Sequence, residues 1–201
     1  MRAATRRELI AGPVGRLECA LDLPEGAPVG IAIVAHPHPL HGGTLDNKVA
    51  QTLARAHMEA GYAAWRPNFR GVGTSEGVHD RGVGEVEDLA ATLAHARSVH
   101  GNLPVALAGF SFGAAMQLKL AAREAPRSLV LVGVAVGYAD TPPAPPNTAV
   151  IHGEEDETVP LAGVLDWARP QDLPVIVLPG ADHFFHRRLN LLRALVAQHL
   201  K

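Results

Sequence analysis

The pentapeptide Gly109-Phe110-Ser111-Phe112-Gly113 holds a hydroxyl between two near-featureless residues. An apolar run, 105–108, precedes it and a helix-like segment, 114–125, follows it. Ser111 is therefore expected at a strand-to-helix corner, the geometry of a nucleophile elbow. In so tight a turn the serine backbone is strained, and the positions two before and two after it must lack side chains, as Gly109 and Gly113 do. With 20 glycines and four serines in the chain, chance supplies roughly 0.04 copies of Gly-x-Ser-x-Gly, so the match carries information.

A serine hydroxyl is a poor nucleophile at neutral pH and needs a base, which an imidazole supplies. Of eleven histidines, His183 is preferred. It follows the last predicted strand in a glycine-containing loop, where the histidine of a Ser, Asp, His chain order belongs. His186, at the start of the last predicted helix, is the fallback. The base needs an anion to fix its tautomer. Glu154, Glu155, Asp156 and Glu157 share the loop after the preceding strand, whereas Asp182 is adjacent to His183 and badly directed towards its ring. Turnover by such a site rises with pH as the imidazole loses its proton.

An oxyanion needs two backbone N–H donors, one from the residue after the nucleophile, Phe112. The other is expected from the loop after the apolar run 31–35, which reads His36-Pro37-His38-Pro39. Prolines have no N–H, so the donor narrows to His38, with Leu40 the next amide. The same loop supports a rival reading, because His36, His38 and His41 form His-x-His-x-x-His and imidazoles ligate zinc. A metal hydrolase of that type wants an aspartate at position 40, where this chain has Leu40. Gly71, Gly73 and Gly77 are spaced i, i+2, i+6, and a dinucleotide fingerprint requires i, i+2, i+5. Arg70 in that loop is expected to anchor backbone carbonyls or a neighbouring carboxylate, an anionic substrate being its alternative partner.

The elements that position these groups alternate. Apolar runs at 31–35, 62–65, 105–108, 128–136, 148–151 and 175–178 are interleaved with helix-period segments at about 47–60, 83–98 and 184–200, and 17–21 has a strand pattern. That βαβα order predicts an α/β fold with a mostly parallel sheet of about seven strands and helices on both faces. Asp46 or Asn47 can cap the first helix and Gly61 can close it. At 201 residues, 47% hydrophobic and net charge −2, the chain reads as one domain, 1–201, of a globular protein with no electrostatic case for nucleic acid. No apolar stretch is long enough to span a bilayer, and no signal-like core follows the arginines near the start. Cys19 is the only cysteine, in keeping with a reducing compartment, so cytoplasmic residence is the expectation. Self-association is left open.

With strand, elbow and helix in place, the chain resembles the α/β-hydrolase superfamily, in particular small bacterial members without a cap domain similar to dienelactone-hydrolase-like esterases. The landmarks are the elbow, His36-Pro37-His38-Pro39, Asn68-Phe69-Arg70-Gly71-Val72-Gly73-Thr74-Ser75, His152-Gly153-Glu154-Glu155-Asp156 and Gly180-Ala181-Asp182-His183. The resemblance selects Asp156 as the acid, from its place in His-Gly-x-x-Asp-x-x-Val-Pro, with Asp140 as competitor because some hydrolases place the acid there. It implies a serine hydrolase of small ester-like acyl substrates, working through an acyl-enzyme with no cofactor. Only residues 137–147 lie where many relatives insert a cap, so an open site is expected, with Leu40, Phe110, Phe112, Phe184 and Trp65 as candidate apolar lining. A hydrolase-like binding protein is the non-enzyme alternative, a class in which the triad is typically broken, and here no member is missing.

Overall fold

The runs of consecutive apolar residues at the centre of the chain become strands covered on both faces. The computed structural model describes residues 5–138 and 141–201. Among them are eight strands: β1 (Arg6–Gly12), β2 (Gly15–Asp22), β3 (Gly30–Ala35), β4 (Tyr62–Pro67), β5 (Val105–Phe110), β6 (Ser128–Val132), β7 (Thr148–Gly153) and β8 (Val175–Leu178). They form one sheet in the order β1-β2-β4-β3-β5-β6-β7-β8. β1 and β2 make an antiparallel hairpin, β2 runs antiparallel to β4, and every later pairing is parallel.

The helices are α1 (Lys48–Glu59), α2 (Gly84–His100), α3 (Phe112–Glu124), α4 (Leu161–Ala168) and α5 (Leu189–His199). Strand residues alternate between two cores. Ile31, Ile33 and Leu107 join α2 and α3 residues such as Leu89, Leu93 and Leu118, while Ala32, Val34 and Ala108 join α1 and α5 residues such as Leu53, Leu192 and Val196. Because both faces are buried, the central strands show no apolar–polar alternation. Each buried Leu, Ile or Val side chain contributes about 1.5–3 kcal/mol to the burial that offsets chain ordering.

Local chemistry sets the ends. Asn47 accepts the N–H groups of Val49 and Ala50 at 2.9 and 3.2 Å, capping α1, and Gly61 closes it at φ 92°. The strand expected over 128–136 stops at Val132 because Gly133 turns the chain at φ 53°. The last helix starts at Leu189 rather than near residue 184, because Phe185 and Arg187 take left-handed backbone angles of 55° and 61° in the preceding turns. β1 adds an eighth strand to the expected seven. Its charged residues suit a sheet edge facing water and hide it from an apolar pattern. Among the described residues the segment between β6 and β7 contains no helix, and no helix is long and apolar enough to cross a membrane.

Candidate active site

Ser111 occupies the corner between β5 and α3 with φ 56° and ψ −118°, a conformation that costs a non-glycine residue of order 1–3 kcal/mol. Neighbouring backbone holds it there. Ser111 N–H donates to Val132 O at 2.9 Å, and Ser111 O accepts from Ala114 and Ala135. A Cβ at Gly109 would lie 2.6 Å from Ala114 N, and one at Gly113 would lie 2.6 Å from Ala35 O and closer still to His36 O. Both glycines are therefore required, the first by the turn itself. The second lets the start of α3 touch the chain leaving β3.

Asp156 and His183 reach Ser111 from the loops after β7 and β8. His183 Nε2 is 3.1 Å from Ser111 Oγ, and Nδ1 is 2.6 Å from Asp156 Oδ2. A carboxylate only accepts, so Nδ1 carries the proton and Nε2 turns its lone pair to the serine hydroxyl. Asp156 Oδ1 takes the N–H groups of Thr158 and Val159 at 3.0 and 2.7 Å. Burial pushes the Asp156 carboxyl up, and the hydrogen bonds from His183 and Val159 outweigh it, holding the group below its ordinary value. All three side chains are buried.

The two loops are tied together. Glu155 N–H donates to Ala181 O at 2.9 Å, Gly180 N–H donates to Glu154 Oε2 at 2.8 Å, and a Cβ at Gly153 would sit 2.8 Å from Asp182 O. Phe110 packs its ring 4.8 Å from that of His183, and a Cβ at Gly133 would come within 3.3 Å of His183 Cε1. His186, the fallback base, is exposed and bonded through Nδ1 to Asp182 Oδ2 at 2.6 Å, so it is not brought to Ser111. Asp140 lies outside the described residues.

Phe112 opens α3, where a helix leaves its first N–H groups unpaired. The contact allowed by Gly113 sets the β3 loop against it. Leu40 N–H is spent on His38 Nδ1 at 3.2 Å, while His38 O accepts from His41 and Gly43, so of the two amides considered for this loop it is the His38 N–H that has no partner among the described residues. The loop is shaped by glycine as well as proline: Gly42 has φ 78°, and a Cβ at Gly43 would lie 2.7 Å from His38 O. The His38 ring stacks on His41 at 4.5 Å and meets Phe112 at 4.8 Å, His79 at 5.0 Å and Tyr138 at 5.6 Å.

Comparison with known proteins agrees with this architecture. The family described as serine aminopeptidase, S33, matches residues 32–172. The chain belongs to that family of the α/β-hydrolase superfamily. This α/β hydrolase superimposes on a structure described as an alpha-beta serine hydrolase homologue from Coxiella burnetii, with a TM-score of 0.91 and 42% identity, over 98% of this chain and 97% of that one. A serine hydrolase without lid from Xanthomonas campestris gives a TM-score of 0.91 and 37% identity, over 100% and 95% of the two chains. An uncharacterized protein of Rickettsia prowazekii is 34% identical over 189 residues, 87% of this chain and 79% of its own.

In this hydrolase several expected neighbours of the site take other places. Phe110 has no exposed surface and backs His183 instead of lining an opening. Trp65 is likewise core, edge-on to His95 and His100. Phe112 is buried too, whereas Leu40 is 69% and Phe184 46% exposed, the latter ring 5.2 Å from His183. Arg70 binds Asp88, Nε and Nη2 meeting Oδ1 at 3.1 and 2.7 Å, so its partner is a buried carboxylate of α2. His36 is buried, donates from Nδ1 to Pro37 O at 2.6 Å and accepts the Phe69 N–H on Nε2 at 3.1 Å. Burial lowers its pKa to about 4. With both nitrogens used, His36 has no lone pair for a metal, and the described residues hold no cluster of three or more groups fit to bind one.

Sequence reasoning missed His79 and Glu85. Glu85 is fully buried, accepts the N–H groups of Asp80 and Gly82 at 2.8 and 2.7 Å, and lies 2.8 Å from His79 Nδ1, at an angle outside hydrogen-bond geometry. It pins the turn that carries His79 to the His38 ring. Its place in the first turn of a helix, just after Gly82, was the visible signal.

Proposed function

We propose that this hydrolase cleaves small ester substrates through an acyl-enzyme. Ser111 Oγ attacks the carbonyl carbon as His183 Nε2 takes its proton, and the oxyanion is held by the N–H groups of Phe112 and His38. Collapse breaks the C–O bond, and His183 returns the proton to the departing alkoxide. Water then attacks the acyl-enzyme with His183 again as base, releasing the acid and free Ser111. Asp156 keeps Nδ1 protonated and stabilises the imidazolium throughout. Each oxyanion donor is worth about 3–4 kcal/mol in the transition state.

The observation that carries the reading is the unbroken line from Ser111 Oγ through His183 to Asp156, 3.1 and 2.6 Å per link. Exposed Leu40 and Phe184 offer apolar contact to a small acyl or alkoxy group. The family description names aminopeptidases, and such a reaction needs a free carboxylate for the substrate ammonium. Asp156, Glu85 and Asp182 already hold partners, so none of these three is free for it, which favours esters. The test is a panel of nitrophenyl esters of graded acyl length set against aminoacyl nitroanilides. Ester turnover with a pre-steady-state burst is expected. Anilide turnover exceeding that of every ester would overturn the assignment.

A further inference from the structure

β7 delivers a second imidazole to the acid, and the acyl-transfer steps give it no task. The His152 side chain has no exposed surface. Its Nε2 is 2.8 Å from Val159 O and 3.4 Å from Asp156 Oδ2, the oxygen that meets His183. A carbonyl only accepts, so Nε2 carries the proton and the lone pair falls on Nδ1, which is buried without a partner among the described residues. Leaving such an atom unpaired costs about 1–3 kcal/mol, a penalty an apolar ring of the same size would not incur. The N–H must offset it.

What the N–H grips is the far side of the acid's own turn. Val159 is held at both ends: its O accepts from His152, and its N–H donates to Asp156 Oδ1 at 2.7 Å beside that of Thr158 at 3.0 Å. Oδ1 is thereby occupied and the carboxylate plane fixed, leaving Oδ2 for His183. The same His152 N–H directs the positive end of its dipole towards Oδ2 from 3.4 Å. Burial lowers the pKa of this ring, so it acts as a neutral donor and not as a counter-ion.

We propose that His152 is a positioning residue of the acyl-transfer site: by holding Val159 O it orients the Asp156 carboxylate so that Oδ2 aligns with His183 Nδ1. The proposal rests on the serine-hydrolase reading given above, and it makes the leading histidine of His152-Gly153-Glu154-Glu155-Asp156 functional in its own right.

Its test uses H152F, which keeps a ring but has no donor, and H152Q, whose amide nitrogen has the reach of imidazole Nε2. Three quantities are followed on the full chain: the rate constant for labelling of Ser111 by a fluorophosphonate, the low-field proton resonance of the His183–Asp156 hydrogen bond, and thermal unfolding. H152F is expected to slow labelling by about 10- to 100-fold, the range seen when a residue that orients a metal ligand is lost. It should also displace the low-field resonance while remaining folded. H152Q should restore labelling to within about 3-fold of wild type and return the resonance to its wild-type position, as donor replacement predicts. A lower unfolding temperature with labelling rate and resonance unchanged would make His152 only a core residue and overturn the proposal. If H152F does not fold, H152N serves, its amide being too short for Val159 O, and wild-type labelling in that variant is the contrary result. Failure of the serine-hydrolase reading looks different: wild type is unlabelled, while the resonance still reports on the His183–Asp156 bond.

Discussion

Replacing Gly113 with alanine should separate the two proposed oxyanion donors while leaving the three side chains of the proposed hydrolytic line in place. The new Cβ would lie 2.6 Å from Ala35 O and nearer still to His36 O, and both are backbone atoms that cannot rotate away. Ordinary carbon contact begins at about 3.5 Å, so the start of α3 and the chain leaving β3 must part by at least about 0.9 Å. Phe112 precedes the substituted residue and His38 follows the displaced strand end, so their N–H groups move apart. A hydrogen bond lengthened from about 2.9 to 3.8 Å no longer functions as one. Losing one donor costs about 3–4 kcal/mol, or about 10²- to 10³-fold in kcat. Overpacking costs about 1–3 kcal/mol of stability, and the helix preference of alanine over glycine returns about 1. The net loss, up to about 2 kcal/mol, lowers Tm by no more than about 8 °C. The assay is kcat and KM on the best ester of the panel, with Gly137→Ala as control because a Cβ there meets nothing within 4 Å among the described residues. A folded Gly113→Ala enzyme with kcat within about 3-fold of wild type would refute the two-amide oxyanion site, since even one lost donor costs at least about 10²-fold.

Two further outcomes are expected. His36 and His57 are buried, and burial lowers each pKa from 6.5 to about 4. The unfolded chain therefore binds protons between these values that the native state does not, so their stabilisation is complete above about pH 6.5 and lost as pH falls towards 4. By pH 5 each costs about 2 kcal/mol. Urea unfolding at pH 7 and 5 should show this, His57→Met should remove about half of it, and a flat stability over that interval would contradict the neutral assignment. Arg70→Ala strands Asp88 in the core and should cost about 3–5 kcal/mol of stability. KM should hold for neutral and acidic acyl chains alike, and a selective rise for acidic ones would return Arg70 to the substrate.

Much of the site was legible because its chemistry is punctuated by residues with one structural use. Gly109 and Gly113 announced the elbow, and the chain order of Ser111, Asp156 and His183 follows from strands that end on one edge of a parallel sheet. What escaped depends on contacts that sequence does not carry. Phe110 and Phe184 are both aromatic neighbours of polar site residues, yet one is sealed beneath His183 and the other reaches solvent. Leu161–Ala168 forms a short helix with only Val164 and Ala168 buried, too few positions to declare a period. The charged β1 edge carries no apolar run to mark it, because an edge strand needs one apolar face at most. His79 and Glu85 sit far in sequence from His36-Pro37-His38-Pro39, and only the packing of the loop after β4 brings them beside it.

The central claim is that Ser111 is a nucleophile activated by His183, and intact-mass analysis after exposure to a fluorophosphonate tests it most directly. The account predicts a single adduct on wild type, mapped to Ser111, absent from Ser111→Ala and strongly slowed in His183→Ala. An unlabelled wild type, or an adduct that persists in Ser111→Ala, would contradict it.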